Sequence, residues 1–216
     1  SDVCSSDLGL GGTCRSAIGH HAPIHRHRQP CLTMTNALKP MLITQGDAAG
    51  IGPEIIAKAY RDAPNRMQTC VVVGDCAVMQ RAVDVLAAAH PEAQRLHVMP
   101  VDALHQVSST LPTFTIPVLQ VSPPMSPLPA WGRISAEAGQ LAADCVVWAA
   151  QAVLRGDAAA LVTAPLHKEA LCAAGVPFPG HTEMLQACAA AHAGVAVEDM
   201  PVRMMLVTPE LKTVLV

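Results

Sequence analysis

The chain has 216 residues, of which 51% are apolar and 14% are charged, and its formal net charge at pH 7 is -3. This length and composition suit a globular protein with a sizeable core. The negative charge, together with only two Phe, one Tyr and two Trp, argues against nucleic acid as a partner, and no segment has the long apolar run of a membrane span.

The eight cysteines show no tight paired spacing, and several lie in apolar segments where Cys acts as a small hydrophobic residue. This usage favours a reducing compartment. The start of the chain has no basic end followed by an apolar block and a small-residue cleavage site. We therefore expect a cytoplasmic protein.

Residues 1–33 are rich in Gly, Cys and His and show neither a helical nor a strand period. They are predicted to be a non-native or disordered leader that docks on no core, with the natural start at Met34. The alternative is a zinc site formed by Cys14, His20, His25 and Cys31. Because the spacing of these four residues matches no compact zinc module, the leader is favoured.

From Met41 onward, short β-branched runs alternate with Ala-rich stretches, which predicts an α/β fold with a largely parallel sheet. A helix is expected between Ser135, a capping residue, and Gly156, which can take the left-handed conformation at a helix end. The four prolines within 121–129 predict a surface connection over 121–130, at a domain or subunit edge. The predicted strands are 41–45, 69–74, 95–99, 116–121, 159–163 and 202–208.

The first motif is a glycine-rich turn at residues 44–53, TQGDAAGIGP, between a predicted strand and a predicted helix with Pro53 at its first position. Such a turn can point backbone N–H groups at an anion. Its glycines match neither the dinucleotide fingerprint nor the P-loop, which excludes a standard Rossmann cofactor loop. Considered alone, the motif favours a tight turn that needs its glycines for backbone geometry.

The second motif, TAPLHK at residues 163–168, also follows a predicted strand and begins a helix. The carboxyl ends of parallel strands are where α/β proteins place ligands. A lysine in a first helical turn opposes the helix dipole, so Lys168 is favourable there when an anion lies nearby. A solvated surface lysine is an equally good interpretation.

The third motif, PFPGHTE at residues 177–183, stiffens the chain just before a helix that begins near His181. His181 has a reference pKa suited to acid–base work, and the Thr182 hydroxyl can bind a substrate oxygen or cap the helix. A lone histidine is more often structural than functional, so this motif indicates a function only when it is considered together with the other two.

Taken in order, the three motifs resemble the 4-hydroxythreonine-4-phosphate dehydrogenase family of pyridoxal phosphate biosynthesis, over about Met41 to Val216. The resemblance implies two α/β domains like those of isocitrate and isopropylmalate dehydrogenases, a cleft between them and a homodimer. The residues that carry it are Gly46, Asp47, Gly50, Ile51, Gly52, Pro53 and Glu54, then Thr163, Pro165, His167 and Lys168, then Gly175, Pro177, Phe178, Gly180, His181, Thr182 and Glu183.

In this family NAD takes a hydride from 4-phosphooxy-L-threonine, and the resulting keto acid loses carbon dioxide to give 3-amino-2-oxopropyl phosphate. A divalent metal (Zn, Mg or Co) acts as a Lewis acid in both steps. His181 and Thr182 match the family's substrate-binding pair. Lys168 is expected to contact an anion and Asp47 to lie at the cleft.

The resemblance also implies that residues 34–216 are the amino-terminal part of a fold truncated at its carboxyl end. The family's three metal-binding histidines and most NAD contacts are expected beyond Val216, so no catalytic, cofactor or metal residue is assigned here. His167 and His192 are interpreted as non-ligands. The 216 residues alone are expected to be inactive.

Three alternatives stay open at this point. The chain could belong to a paralogue that oxidises another phosphorylated hydroxy acid, such as a threonate or erythronate phosphate, or a cyclic diol. It could be an inactive fragment. It could also be an acyl- or phosphoryl-transfer protein in which the glycine-rich turn binds the anion.

Overall fold

The computed structural model describes residues 39–107 and 111–215. The predictions for the leader 1–33, the start at Met34 and the alternative zinc site of Cys14, His20, His25 and Cys31 lie outside these residues. Within the described residues, no helix is long and apolar enough to cross a membrane.

Five strands form one parallel sheet in the order β3-β4-β2-β1-β5, which confirms the predicted α/β class. All five were predicted, with β3 beginning two residues later than expected because His97, not Arg95, is the first residue to pair. The strands are β1 (Met41–Thr44), β2 (Cys70–Val73), β3 (His97–Val101), β4 (Thr115–Leu119) and β5 (Ala160–Thr163).

Six helices connect or follow these strands. The helices are α1 (Gly52–Asp62), α2 (Pro64–Met67), α3 (Cys76–Ala89), α4 (Ala136–Leu154), α5 (Lys168–Ala173) and α6 (His181–Ala193). The predicted ends of α4 are confirmed: the Ser135 hydroxyl accepts the Ala138 amide at 3.2 Å, and Gly156 has φ +80°. Pro53 is the second residue of α1 rather than the first.

Alternation along the strands produces a core on each face of the sheet. Ile43 and Val72 point to the face covered by α1 and α3, whereas Leu42 and Val71 point to the face covered by α4. The apolar stripe of α4 packs on that second face, with Trp148 partly buried at its border. A smaller cluster joins α4, α5 and α6.

The predicted strand at 202–208 exists as β6 (Met205–Val207), but it lies outside the parallel sheet. It pairs antiparallel with β7 (Lys212–Val214). The turn 208–211 is too short for the crossover that parallel pairing requires, so a hairpin forms. Both strands are exposed.

The connection 121–130 contains neither a helix nor a strand, as its prolines predict. It runs from the carboxyl end of β4 to the start of α4 and lines an open cavity of about 630 Å³ with the first turns of that helix. Its position at a domain or subunit edge stays a prediction.

Helices α4 and α5 approach so closely that Gly139 has no room for a side chain. A Cβ at Gly139 would overlap the Ala170 carbonyl and lie 2.8 Å from the Leu171 amide nitrogen. We expect Gly139→Ala to destabilise the chain by about 2 kcal/mol, because overpacking against backbone outweighs the gain in helix propensity. Thermal unfolding measures this, with the exposed Gln151→Ala as a control in the same helix. An unchanged melting temperature for Gly139→Ala would contradict the close packing.

Candidate functional site

The first two motifs meet at the carboxyl ends of β1 and β5, and the third motif touches the second. Thr44 and Thr163 are register partners in these adjacent parallel strands. Just beyond them, the Asp47 amide donates a hydrogen bond to the Pro165 carbonyl at 3.0 Å. We call the region formed by the glycine-rich turn (46–52), segment 163–168 and segment 177–183 the strand-end site.

The glycines of the turn serve close packing. Gly46 has φ +73°, and a Cβ there would overlap the Pro165 carbonyl oxygen, while a Cβ on Gly52 would overlap the Gln45 carbonyl oxygen. The amides of Asp47, Ala49 and Gly50 are already bonded within the protein, to the Pro165 carbonyl, the Asp47 carboxylate and the Asp47 carbonyl. These three amides are therefore not available to an anion, and the structure supports the geometric interpretation of the turn.

Asp47 is 9% exposed at the strand-end site. Its Oδ1 accepts the Ala49 amide at 3.0 Å, which fixes the orientation of the carboxylate. Within residues 39–107 and 111–215, no hydrogen bond is directed at Oδ2. This oxygen can accept a hydrogen bond from a ligand, so a role for Asp47 at the cleft stays a prediction with a stereochemical basis.

His167 and Lys168 occupy the start of α5, where the predicted helix begins. The Nδ1 atom of His167 accepts the Ala170 amide at 3.4 Å and so caps the helix. Lys168 is exposed. Ion pairs of the described residues join Lys58 to Glu54, Arg61 to Asp62, His90 to Glu92 and Arg155 to Asp157, and Lys168 takes part in none of them.

The second and third motifs touch at Gly180. A Cβ built on this residue would lie 3.9 Å from Lys168 Cε and 3.6 Å from Glu183 Oε2. Phe178 packs beside the buried Leu171 and Met184, which anchors the segment to the small cluster under α4. The side chain of Lys168 thus lies beside the residue that precedes α6.

His181 is the first residue of α6 and is half-buried. Its Nε2 atom is buried and has no hydrogen-bond partner among the described residues. Burial lowers the pKa of His181 and so favours the neutral imidazole. A buried imidazole nitrogen without a partner is a costly feature that a hydrogen bond from or to a ligand would relieve.

Thr182 is exposed, and it does not cap the helix. The cap position of α6 is Gly180, which makes no side-chain capping bond. The alternative that the Thr182 hydroxyl caps this helix is therefore wrong, because the hydroxyl lies inside the first turn. The hydroxyl is left free for a ligand.

A buried hydrogen-bond network beside the site was not predicted from the sequence. Asp75 is fully buried, and its Oδ1 accepts the Ala77 and Val78 amides at the start of α3. Its Oδ2 accepts Gln120 Nε2 at 2.9 Å and the Met125 amide at 2.8 Å, and its own amide donates to Gln45 Oε1 at 2.6 Å. Only the capping part has a sequence signal, namely an Asp immediately before a helical period.

The described residues include no group of three or more His, Cys, Asp or Glu side chains able to hold a metal ion. They do not fit the metal centre that the family resemblance implies, and no chemical step is assigned to a metal here. The glycine-rich turn is not a fingerprint loop for NAD, since its glycines lie at positions 46, 50 and 52 and three of its amides are bonded within the fold.

Comparison with known proteins identifies close relatives. A 4-hydroxythreonine-4-phosphate dehydrogenase of Beijerinckia indica is 41% identical over 82% of this chain and 47% of its own length. A D-threonate 4-phosphate dehydrogenase of Bordetella bronchiseptica is 38% identical over 67% of this chain and 40% of its own length. The chain thus spans about half the length of the curated relatives it matches.

Solved structures show the same similarity to 4-hydroxythreonine-4-phosphate dehydrogenases. The crystal structure of a 4-hydroxythreonine-4-phosphate dehydrogenase from Burkholderia phymatum superposes with a TM-score of 0.66 at 32% identity, covering 83% of this chain and 49% of that one. The family model described as pyridoxal phosphate biosynthetic protein PdxA matches residues 66–216. With a parallel α/β fold, the three motifs at one sheet edge and this match, the chain belongs to the PdxA family of dehydrogenases.

Proposed function

We propose that the strand-end site binds the phosphorylated substrate of an NAD-dependent dehydrogenase, which oxidises and decarboxylates 4-phosphooxy-L-threonine to 3-amino-2-oxopropyl phosphate. The observation that carries the proposal is the half-buried His181, whose buried Nε2 atom has no partner among the described residues, directly after Gly180, which lies beside the exposed Lys168. The relative from Beijerinckia indica bears the corresponding name.

Each residue of the site has a role that follows from its chemistry. Neutral His181 can donate or accept one hydrogen bond at Nε2, so it suits a substrate hydroxyl or phosphate oxygen. The exposed Thr182 hydroxyl can do the same. The ammonium of Lys168 supplies a positive charge for the phosphate, and the carboxylate of Asp47 can orient a donor group of the substrate.

NAD and a divalent metal belong to the proposal through the family resemblance alone. The metal ligands and most NAD contacts are proposed to lie beyond residue 216, and a homodimer is proposed for the protein expressed from its whole coding sequence. Gel filtration with light scattering measures the assembly, and activity after chelation and metal replacement measures the metal dependence.

A second candidate is oxidation of D-threonate 4-phosphate. The Bordetella bronchiseptica relative bears that name at 38% identity, close to the value for the first relative. The two substrates share the phosphate and the hydroxy acid but differ at the amino group. The roles given to His181, Thr182 and Lys168 do not distinguish the ammonium group of one substrate from the hydroxyl group of the other.

The test compares kcat/KM for the two substrates, using the protein expressed from its whole coding sequence. The rate of NADH formation measures each reaction. A preference for 4-phosphooxy-L-threonine supports the first candidate, and a preference for D-threonate 4-phosphate supports the second. Absence of NAD reduction with either substrate and any divalent metal would overturn the proposal.

Lys168 offers a separate test of phosphate binding. We expect Lys168→Met to raise KM for the phosphorylated substrate by roughly tenfold, the loss of a charge-assisted contact of about 1.4 kcal/mol, with a smaller change in kcat. Lys58→Met is the matched control, because Lys58 is also a surface lysine but is already paired with Glu54. Equal KM values for the two variants would remove Lys168 from the site.

A further inference from the structure

Arg81 lies on α3 and joins two segments that are far apart in the sequence. One terminal nitrogen donates to the Pro129 carbonyl at 2.6 Å, and the other donates to the Ala48 carbonyl at 2.7 Å. The guanidinium carbon lies 3.9 Å from the ring centroid of Trp131. The side chain therefore ties the glycine-rich turn to the end of the connection 121–130.

The positive charge of Arg81 has an unusual set of partners. None of the ion pairs among the described residues includes Arg81, and its partners are two neutral carbonyls and an aromatic face. Its Nε atom is buried without a partner, and burial lowers the pKa of the guanidinium. Removing a charge from water without an acidic partner is costly, and a planar fork that reaches two carbonyls at once is a feature of Arg that Lys cannot reproduce.

The contact falls next to the carboxylate of the strand-end site. Ala48, whose carbonyl Arg81 holds, directly follows Asp47. The next residue, Ala49, donates its amide to Asp47 Oδ1 and accepts the Gly132 amide at 2.9 Å through its carbonyl. The peptide that orients Asp47 is thus fixed from α3 on one side and from residue 132 on the other.

We propose that Arg81 is a positioning residue, which fixes the orientation of the Asp47 carboxylate by holding the glycine-rich turn against the connection 121–130. This inference rests on the proposed function, because it gives Asp47 a task at the strand-end site. Arg81 itself contacts Pro129, Ala48 and Trp131 and no group of the proposed substrate site that would react.

The first test is kinetic and uses the protein expressed from its whole coding sequence. We expect Arg81→Met to lower kcat/KM by at least about fivefold, and Arg81→Lys to restore little of the loss. Asp47→Asn should lower kcat/KM as well, and the double variant should be no worse than the more damaging single variant, because both changes remove one oriented carboxylate. Arg155→Met, at an exposed ion pair, is the control.

The second test is hydrogen exchange of the same variants, which does not depend on activity. In Arg81→Met the Ala49 and Gly50 amides should exchange at least about tenfold faster, while amides of β2 keep their rates. A merely structural loss would accelerate exchange throughout the domain. Selective acceleration in a protein without dehydrogenase activity would sink the proposed function and keep Arg81 as the residue that orders the turn.

Two results would overturn the inference. One is unchanged exchange at Ala49 and Gly50 in Arg81→Met, which would show that the turn is ordered without the contact. The other is fully additive losses in kcat/KM for Arg81→Met and Asp47→Asn, which would show that Arg81 does not act through Asp47.

Discussion

Replacing Asp75 by Ala is expected to lower the free energy of unfolding by about 3–4 kcal/mol, the largest stability effect that we predict for a single side chain. About 1 kcal/mol comes from the lost cap of α3, where Oδ1 accepts two amides. The rest comes from the loss of Oδ2. Because Asp75 is fully buried, its removal leaves Gln120 Nε2 and the Met125 amide without an acceptor.

Two further variants separate these contributions. Asp75→Ser keeps a capping oxygen but cannot reach Gln120 and Met125, so it should recover about 1 kcal/mol of the loss. Asp75→Asn places an NH₂ group against at least one donor and should also destabilise the chain by about 2 kcal/mol or more. Denaturant unfolding measures each value, with the exposed Asp84→Asn on the same helix as the control. If Asp75→Ser matched the wild type, the bonds to Gln120 and Met125 would contribute nothing.

The second large effect is expected at His181. In the protein expressed from its whole coding sequence, His181→Ala should lower kcat/KM by at least about tenfold, which corresponds to the loss of one hydrogen bond of roughly 1.4 kcal/mol to a charged or reacting substrate group. The buried Nε2 atom has no partner among the described residues, so removing the ring should cost little stability. His192→Ala, at the exposed end of α6, is the control.

The pH dependence follows from the direction of the pKa shift. Burial disfavours the imidazolium, so the pKa of His181 in the folded protein lies below its usual value of 6.5. The folded protein therefore binds this proton less readily than the unfolded chain does, and the contribution of His181 makes stability fall as the pH drops below about 6.5. NMR titration of the ring measures the midpoint. A midpoint above 6.5, or a kcat/KM of His181→Ala within twofold of the wild type, would return His181 to a structural role.

Much of the fold was readable because it depends on local chemistry. Period-two alternation in Leu42–Ile43 and Val71–Val72 places successive side chains on opposite faces of a sheet, whatever the remainder of the chain does. The Ser135 hydroxyl and Gly156 mark the two ends of α4, because cap geometry involves only neighbouring residues. The order of strands and helices along the chain follows from the same signals, whereas the pairing of β1 with β5, which brings the first two motifs together, does not.

The hairpin of β6 and β7 shows that such local signals do not determine how strands pair. Apolar runs near 202–208 and from Leu211 onward indicate two strands, but they do not state which partner each strand takes. Direction and partner depend on the length of the turn and on the surfaces nearby. The expectation that Thr182 could cap α6 failed for a similar reason, since a difference of two residues in the start of a helix moves a hydroxyl from the cap into the first turn.

The sequence by itself determined the parallel α/β class and the two ends of α4, because period and caps are written in neighbouring positions. The short motifs and the family resemblance pointed to His181, Thr182, Lys168 and Asp47, and the roles of these four residues stay predictions. Tertiary structure alone decided that Asp75 bonds residues 45 and 50 positions away, that Arg81 bonds residues 33 and 48 positions away, and that the Asp47 amide of the glycine-rich turn bonds Pro165. Such bonds form only once separate strands have come together at one edge of the sheet, and no local pattern records which distant group a buried side chain will meet.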